Sequence, residues 1–252
     1  MRVLIIGAGN VATVFGRLIK QANHEIVQVV SRNLDTAHIL ADALQCTAAT
    51  SFEEMDKTAD LYLVAMSDAA LNQLNERVNL GNQLIVHTAG SVSKDVLKEV
   101  STNYGVIYPL QSLRKDNTDI HLHIPVLIDG NTESNIQIIE KFANSFASPV
   151  TIAADDYRQK LHVAAVVASN FPNYLYSLAA DYCEKENIDF KMLLPLIEET
   201  ASRLRIHSPN EMQTGPAIRK DIVTLEKHLQ LLNNHPQLRS IYVKITDSIM
   251  NP

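Results

Sequence analysis

Through the first 153 residues, apolar positions fall in short unbroken runs separated by stretches where they recur every three or four residues. RVLII (2–6), EIVQVV (25–30), DLYLVAM (60–66), QLIVHTA (83–89), GVIYPL (105–110), IPVLIDG (124–130) and PVTIA (149–153) read as strands. Runs of this kind are what a strand covered on both faces requires. VATVFGRLIKQA (11–22), LDTAHILADAL (34–44), DAALNQLNERV (68–78), SKDVLKEV (93–100) and TESNIQIIEKFANSF (132–146) read as helices, the second with Asn33 as a cap. The alternation predicts an α/β fold with a doubly wound, mostly parallel sheet. From about Asp155 the pattern turns helical, over 155–187, 190–206, 217–234 and 236–250, with breakers at NIDF, HSPNEMQTGP and HPQ. A sheet half followed by an all-helical half predicts two domains, 1–153 and 154–252, with a ligand expected in a cleft between them.

The segment GAGNVA follows the first strand and opens the first helix. Gly7 allows a tight turn, Gly9 lets backbone approach a pyrophosphate, and Ala12 replaces a third glycine while still packing closely. Asn10 and Val11 begin the helix, whose free N–H groups and positive dipole end suit an anion. This is the spacing of a Rossmann-type dinucleotide loop, and its strand–turn–helix context raises it above a bare glycine pattern. The second strand ends VVSRN, without the acid that binds a ribose 2′-OH about 20 residues on in NAD sites. Ser31 and Arg32 suit a 2′-phosphate, which favours NADP, while Asp35 stands close enough to keep NAD open. Met66, Ser67 and Asp68 end the next strand and complete the expected cofactor residues; Ser67 and Asp68 also suit a helix cap.

Polar residues cluster at the following strand ends: His87, Thr88 and Ser91 in HTAGSV, Gln111 and Ser112 in YPLQSL. Such a cluster forms a substrate rim, although each member alone is an ordinary turn residue. HVAAVVASNFPNY (162–174) reads as a buried, alanine- and valine-rich helix that nonetheless carries His162, Ser169, Asn170 and Asn173. At about 100° per residue, Ser169 and Asn173 fall on the face of His162, with Pro172 able to kink the helix nearby. Histidine suits proton donation near neutral pH, and Asn170 or Asn173 suits orienting a carbonyl or carboxylate. In QTGPAIRKD (213–221), Thr214 suits a helix cap, and Arg219 suits an anionic group on a substrate.

Composition narrows the function classes. The chain has 252 residues, 46% hydrophobic and 20% charged, with a net charge of -6, which disfavours nucleic acid as a partner. Cys46 and Cys183 lie far apart, the chain opens directly on a strand, and no apolar run reaches the roughly 18 residues of a membrane span. A cytoplasmic protein without a membrane partner is expected. The nine histidines are scattered, and HLH (121–123) suits no metal site, so no metal is expected. A GxSxG elbow is absent, leaving a hydrolase of that type unsupported.

On GAGNVA, HTAGS (87–91), YPLQS (108–112), HVAAVVASNF (162–171) and TGPAIRKD (214–221), the chain resembles Rossmann-like proteins carrying a DUF2520 C-terminal domain. These are labelled NADP oxidoreductases, in the superfamily of pyrroline-5-carboxylate reductase, ketopantoate reductase and 6-phosphogluconate dehydrogenase. The resemblance spans essentially the whole chain. It implies an NADP-binding domain, a helical substrate domain, and dimerisation through the helices. The family usually reads His-Pro where this chain has Tyr108-Pro109, and Arg-Gly-Asp where it has Arg219-Lys220-Asp221. Ketopantoate reductase-like relatives place a catalytic lysine and an asparagine on the corresponding helix; His162 and Asn170 stand near those positions, with Lys160 as an alternative. The expected function is NADP(H)-dependent hydride transfer to a small carbonyl or imine. Its rivals are a non-catalytic dinucleotide-binding sensor and a site for another nucleotide or S-adenosylmethionine.

Overall fold

The computed structural model describes residues 1–117 and 123–252, so His121 and Leu122 of the HLH stretch lie outside the described residues. The expected strands form as β1 (Arg2–Ile6), β2 (Glu25–Val30), β4 (Leu61–Val64), β5 (Gly81–His87), β6 (Ser101–Pro109), β7 (Val126–Gly130) and β8 (Val150–Ile152). An eighth, β3 (Thr47–Ala49), has no apolar run to announce it and forms by pairing Thr47 with Gln28 of β2. The sheet order is β3-β2-β1-β4-β5-β6-β7-β8. All neighbours run parallel except β6 and β7. The order reverses between β1 and β4, and the carboxyl ends there form the switch-point crevice where open sheets bind ligands.

Each sheet face has its own apolar layer. On one lie α1 (Asn10–Gln21), α2 (Leu34–Leu44) and α4 (Glu133–Ala143), burying Phe15, Leu44 and Phe142 against Ile5 and Ile128. Phe146 meets Phe15 and Phe142 edge-on at 5.3 and 5.2 Å. Complete burial of such a side chain contributes about 1.5–3 kcal/mol. Asn33 does cap α2, its side chain accepting from the Thr36 N–H at 2.9 Å. The other face is covered by shorter pieces than the pattern predicts. The expected helix 68–78 is only α3 (Asp68–Leu71) and a 3₁₀ turn at Leu74–Glu76, and 93–100 is a 3₁₀ turn at Lys94–Leu97. Asn72 and Asn75 disfavour a continuous helix in the first, because asparagine amides compete for backbone partners. Leu71, Leu74 and Leu97 still bury against Ile85.

α5 (Asp155–Ala165) packs Leu161 beside Val106, Tyr108, Leu127 and Ala153, and seats Arg158 wholly inside. It therefore belongs with the sheet. The chain divides into Met1–Val166 and Val167–Pro252, a later boundary than the 153/154 division expected from the pattern.

The HVAAVVASNFPNY stretch departs from its expected form in two ways. It is α-helical to Ala165, π-helical over Val166–Asn170, and α-helical again in α6 (Phe171–Lys185), with Pro172 in the first turn. Proline has no N–H to give to the previous turn and clashes with its carbonyl, and a π turn is a common accommodation. The 100° spacing that aligned His162 with Ser169 and Asn173 does not carry through it. Nor is the stretch buried: Val163, Val167 and Phe171 are all more than half exposed.

The second unit adds α7 (Leu194–Ser202), α8 (Ile222–Leu231) and α9 (Pro236–Met250). Its buried apolar residues are few: Leu178, Cys183, Ala217, Leu225 and Leu232. Met192 and Ile206 are 75% and 80% exposed. Thr214 does not cap the next helix. Residues 215–220 form turns, ending where Lys220 takes a left-handed φ of 54°. Lys220 N–H bonds Ala217 O at 3.0 Å and Asp221 N–H bonds Pro216 O at 2.9 Å, the pattern of a left-handed stop. Asp221 is the cap of α8, accepting from the Thr224 N–H at 3.1 Å. Among the described residues, no helix is long and apolar enough to cross a membrane.

Candidate functional site

A cavity of about 730 Å³ opens at the carboxyl ends of β1, β2 and β4. Gly7 shapes its floor. Its φ is +117°, and a Cβ there would sit 2.2 Å from the Ala65 carbonyl oxygen, so the β1 turn can meet the β4 turn only through glycine. Gly9 is different: a Cβ there would meet nothing within 4 Å. It holds the N-cap position of α1 without a side-chain hydrogen bond, leaving the first-turn N–H groups facing open space. That combination fits a pyrophosphate. Asn10 and Val11 follow in α1 outside the cavity wall, and the Asn10 side chain accepts from the Lys115 N–H at 3.2 Å.

Ser31 and Arg32 line the same cavity, joined by Arg77 and by Ser51, Phe52 and Glu53 from the loop after β3. Arg32 and Arg77 also share a smaller recess with Phe52, Met66 and Ala70. Neither arginine is ion-paired among the described residues, whereas Glu53 accepts from the Ser51 hydroxyl. Two unpaired guanidinium groups and the Ser31 hydroxyl fit a 2′-phosphate. Asp35, the acid that kept NAD open, sits in the first turn of α2 and does not line the cavity.

Met66 and Ser67 complete the wall. Ser67 occupies the N-cap position of α3 but makes no side-chain cap bond. Asp68 accepts instead from the Ser91 hydroxyl, which ties the β4 loop to the β5 loop. Gly90, the next residue back, is pressed against a pair of rings. A Cβ there would lie 2.6 Å from His162 Nδ1 and 2.8 Å from two Tyr108 ring atoms. Tyr108 Oη and His162 Nδ1 are 2.9 Å apart, with the rings edge to face at 5.7 Å. Burial pushes the Tyr108 phenol above its ordinary value, and the Arg158 charge pulls it partly back. Lys160, the alternative to His162, is exposed and paired with Asp156 at 2.7 Å.

His87 was expected on the rim, but it is wholly buried. Its Nδ1 accepts from the Ala89 N–H at 3.1 Å, and Nε2 lies 3.3 Å from Ser93 O. Burial, helped by Arg158, lowers its pKa to about 4, so it is neutral and structural at physiological pH. Beside it lies Arg158, whose Nη2 donates to Val92 O and pairs with Asp155 Oδ1 at 2.8 Å. Nε and Nη1 of Arg158 are buried without a partner. Burial pushes the Asp155 carboxyl up, but Ser93, the Lys94 N–H and Arg158 together hold it below its usual range. Gln111 and Ser112 are exposed on the loop after β6.

The remaining expected residues lie in the second unit. Asn170 ends the π turn, Asn173 is in α6 and Arg219 is in the turn before α8, all exposed. No group of three His, Cys, Asp or Glu side chains is placed to hold a metal ion among the described residues. Pattern reading missed Arg77, Phe52 and Arg158, and passed over Tyr108 as a loss of imidazole. Arg158 belongs to DDYRQK, which reads as a polar surface turn, and nothing in it signals burial. The i, i+3 spacing of Asp155 and Arg158 is the one trace available.

Two family models match: an NADP oxidoreductase, coenzyme F420-dependent, over residues 2–90, and the domain of unknown function DUF2520 over 124–249. No protein among those of curated function matches the chain. A crystal structure from Bacteroides fragilis, provisionally described as an NADP oxidoreductase, is 34% identical, with 100% of this chain and 98% of that chain covered and a TM-score of 0.94. A 1-pyrroline-5-carboxylate reductase from Streptococcus pyogenes is 18% identical, covering 100% and 99% of the two chains, at a TM-score of 0.67. A reductive aminase from Aspergillus terreus, bound to NADPH and ethyl levulinate, is 14% identical, covering 98% and 92%, at 0.71. These last two share the fold. With its glycine loop, the two arginines of its cavity and a full-length relative at 34% identity, the chain belongs to the family of NADP oxidoreductases that join a Rossmann-type domain to a DUF2520 domain.

Proposed function

We propose that the chain reduces a small carbonyl or imine compound with NADPH, His162 donating the proton. The observation that carries this reading is the placement of His162 and Tyr108 against Gly90, one residue from the Ser91–Asp68 tie to the cofactor cavity. NADPH supplies a hydride when bound. Gly7, Gly9, Asn10, Val11, Met66, Ser67 and Asp68 are the residues read as holding it, with Ser31, Arg32 and Arg77 on its 2′-phosphate. His162 holds a transferable proton on a ring already oriented by Tyr108. Ser91, Gln111 and Ser112 are read as substrate contacts; His87 supports the loop from beneath. Asn170 as an orienting group, Asn173, and Arg219 as the partner of a substrate anion remain parts of the same proposal.

We read the working form as a homodimer through the helical unit. Few apolar side chains of that unit are buried within one chain, while Phe171, Met192, Leu196, Ile206 and Leu231 are exposed. A surface of that kind is ordinarily covered. Free Cys46 and Cys183 fit a reducing, cytoplasmic setting.

The test is NADPH oxidation by purified protein against ketones, keto acids and cyclic imines. Imines and ketones come first because the fold relatives include a pyrroline-5-carboxylate reductase and a reductive aminase. Coenzyme F420 belongs in the panel because the family model over 2–90 bears its name. Turnover that falls at least about 100-fold in His162→Gln supports the assignment. NADPH binding without turnover of any member would overturn it in favour of a non-catalytic sensor.

A further inference from the structure

We propose that Tyr108 is the proton store behind His162: its hydroxyl donates to Nδ1, leaving the Nε2–H as the proton that is given up, with buried Arg158 countering the charge left on the phenol. This rests on the reading of the chain as a carbonyl or imine reductase.

The pair is built to couple. The Oη to Nδ1 separation is 2.9 Å, and Gly90 leaves no room for a side chain that would part the rings. Tyr108 is only 9% exposed, and its hydroxyl is hydrogen-bonded to half-buried His162, the route outward in this proposal. When a carbonyl carbon accepts the hydride from NADPH, the carbonyl oxygen needs one proton. The His162 Nε2–H bond breaks and that proton bonds to the oxygen. The Tyr108 Oη–H bond breaks in turn and its proton bonds to Nδ1. The imidazole is neutral before and after, with its tautomer exchanged, and the negative charge rests on Tyr108. Solvent later protonates Nε2 and the Nδ1 proton returns to the phenol, which restores both groups.

Arg158 makes that charge tolerable. It is wholly buried, it acts on the Tyr108 phenol in the direction that favours the anion, and two of its nitrogens, Nε and Nη1, are unpartnered. Asp155 and the Val92 carbonyl use only Nη2. The titratable groups beside Arg158 are its partner Asp155, held below its usual range despite burial by Ser93, the Lys94 N–H and Arg158, and His87 on β5, lowered by burial; of these charges Arg158 is the one that acts on the Tyr108 phenol. A histidine acting alone as a charged acid loses its proton between pH 6 and 7, at about 6.5. Acidity stored on tyrosine lasts to much higher pH.

Two measurements decide this. The first is ¹⁵N-histidine NMR of the NADP⁺ complex, with the His162 signal assigned by its loss in His162→Gln. The expected result is an Nε2–H tautomer that is lost or mixed in Tyr108→Phe. An Nδ1–H tautomer in the wild type would overturn the proposal. The second is the pH profile of NADPH oxidation with cyclohexanone, a ketone that does not titrate. The wild type is expected to stay level through pH 7–9, and Tyr108→Phe to lose activity steadily as pH rises through that range. Parallel profiles would refute the relay. If the wild type reduces no ketone, keto acid or imine, the reductase reading fails, whatever the tautomer. If it turns over with an Nδ1–H tautomer, the relay fails and the reductase stands.

Discussion

Replacing Gly90 with alanine adds one methyl group at the tightest point of the candidate site. That methyl would lie 2.6 Å from His162 Nδ1 and 2.8 Å from two Tyr108 ring atoms, where ordinary contact begins near 3.4 Å. The neighbours must retreat by about 0.6–0.8 Å. Tyr108 cannot yield readily, because Val106, Leu127 and Ala153 pack behind it. His162 must either turn its ring, breaking the hydrogen bond to Tyr108, or shift with α5, which is anchored by buried Arg158. Overpacking of this kind costs about 1–3 kcal/mol, and losing the Tyr108–His162 hydrogen bond costs about 0.5–1.5 kcal/mol more. The sum, about 1.5–4.5 kcal/mol, corresponds to a Tm lower by about 3–18 °C in a unit of this size. Differential scanning calorimetry measures it directly. A Gly90→Ala protein that melts within about 1 °C of wild type, with the His162 NMR signal unmoved, would show that the three residues are not in the contact described.

Further outcomes follow from the same geometry. Gly9→Ala leaves the melting temperature unchanged, since nothing stands within 4 Å of the new methyl, but weakens NADPH at least about tenfold by calorimetric titration; Gly7→Ala destabilises the fold itself. Lys220→Gly raises stability by about 0.5–1 kcal/mol in urea unfolding, because φ 54° costs a lysine what it does not cost a glycine. His87, lowered to about 4 in the fold, binds a proton more readily when unfolded. It therefore contributes stability that is present above about pH 6.5 and is lost as pH falls toward 4, amounting to about 3 kcal/mol in full. His87→Asn keeps an acceptor for the Ala89 N–H and should flatten the stability profile between those limits; an unchanged slope would count against the burial account.

The sheet was legible because its strands are covered on both faces and so are written as apolar runs, as in RVLII and EIVQVV. β3 was not, since Thr47-Ala48-Ala49 forms only where β2 offers an edge. The cofactor loops were legible for a related reason: a Cβ at Gly7 would lie 2.2 Å from the Ala65 carbonyl oxygen, so the position admits no substitute and Gly7 carries its geometry in its identity. Arg77 and Arg158 carry no such mark. An arginine in a polar turn reads alike whether it faces solvent, a cavity or a core, and only the tertiary packing decides. Periodicity misled at HVAAVVASNFPNY, because a π turn before Pro172 changes the angular step and the alanines signal small size without burial. The Arg219-Lys220-Asp221 stretch became intelligible only with its backbone angles: position 220 is left-handed, the conformation a glycine adopts freely.

Ser31, Arg32 and Arg77 line the cavity, and on the reading proposed above they make it select NADP(H). Calorimetric titration of the wild-type chain with NADPH and with NADH tests it, alongside Arg32→Ala. A charge-assisted contact of this kind contributes about 1.5–3 kcal/mol, so NADPH should bind at least about tenfold more tightly than NADH. Arg32→Ala should erase most of that preference by weakening NADPH while leaving NADH unchanged. Equal affinities in the wild type, or a preference that survives Arg32→Ala and Arg77→Ala together, would contradict it.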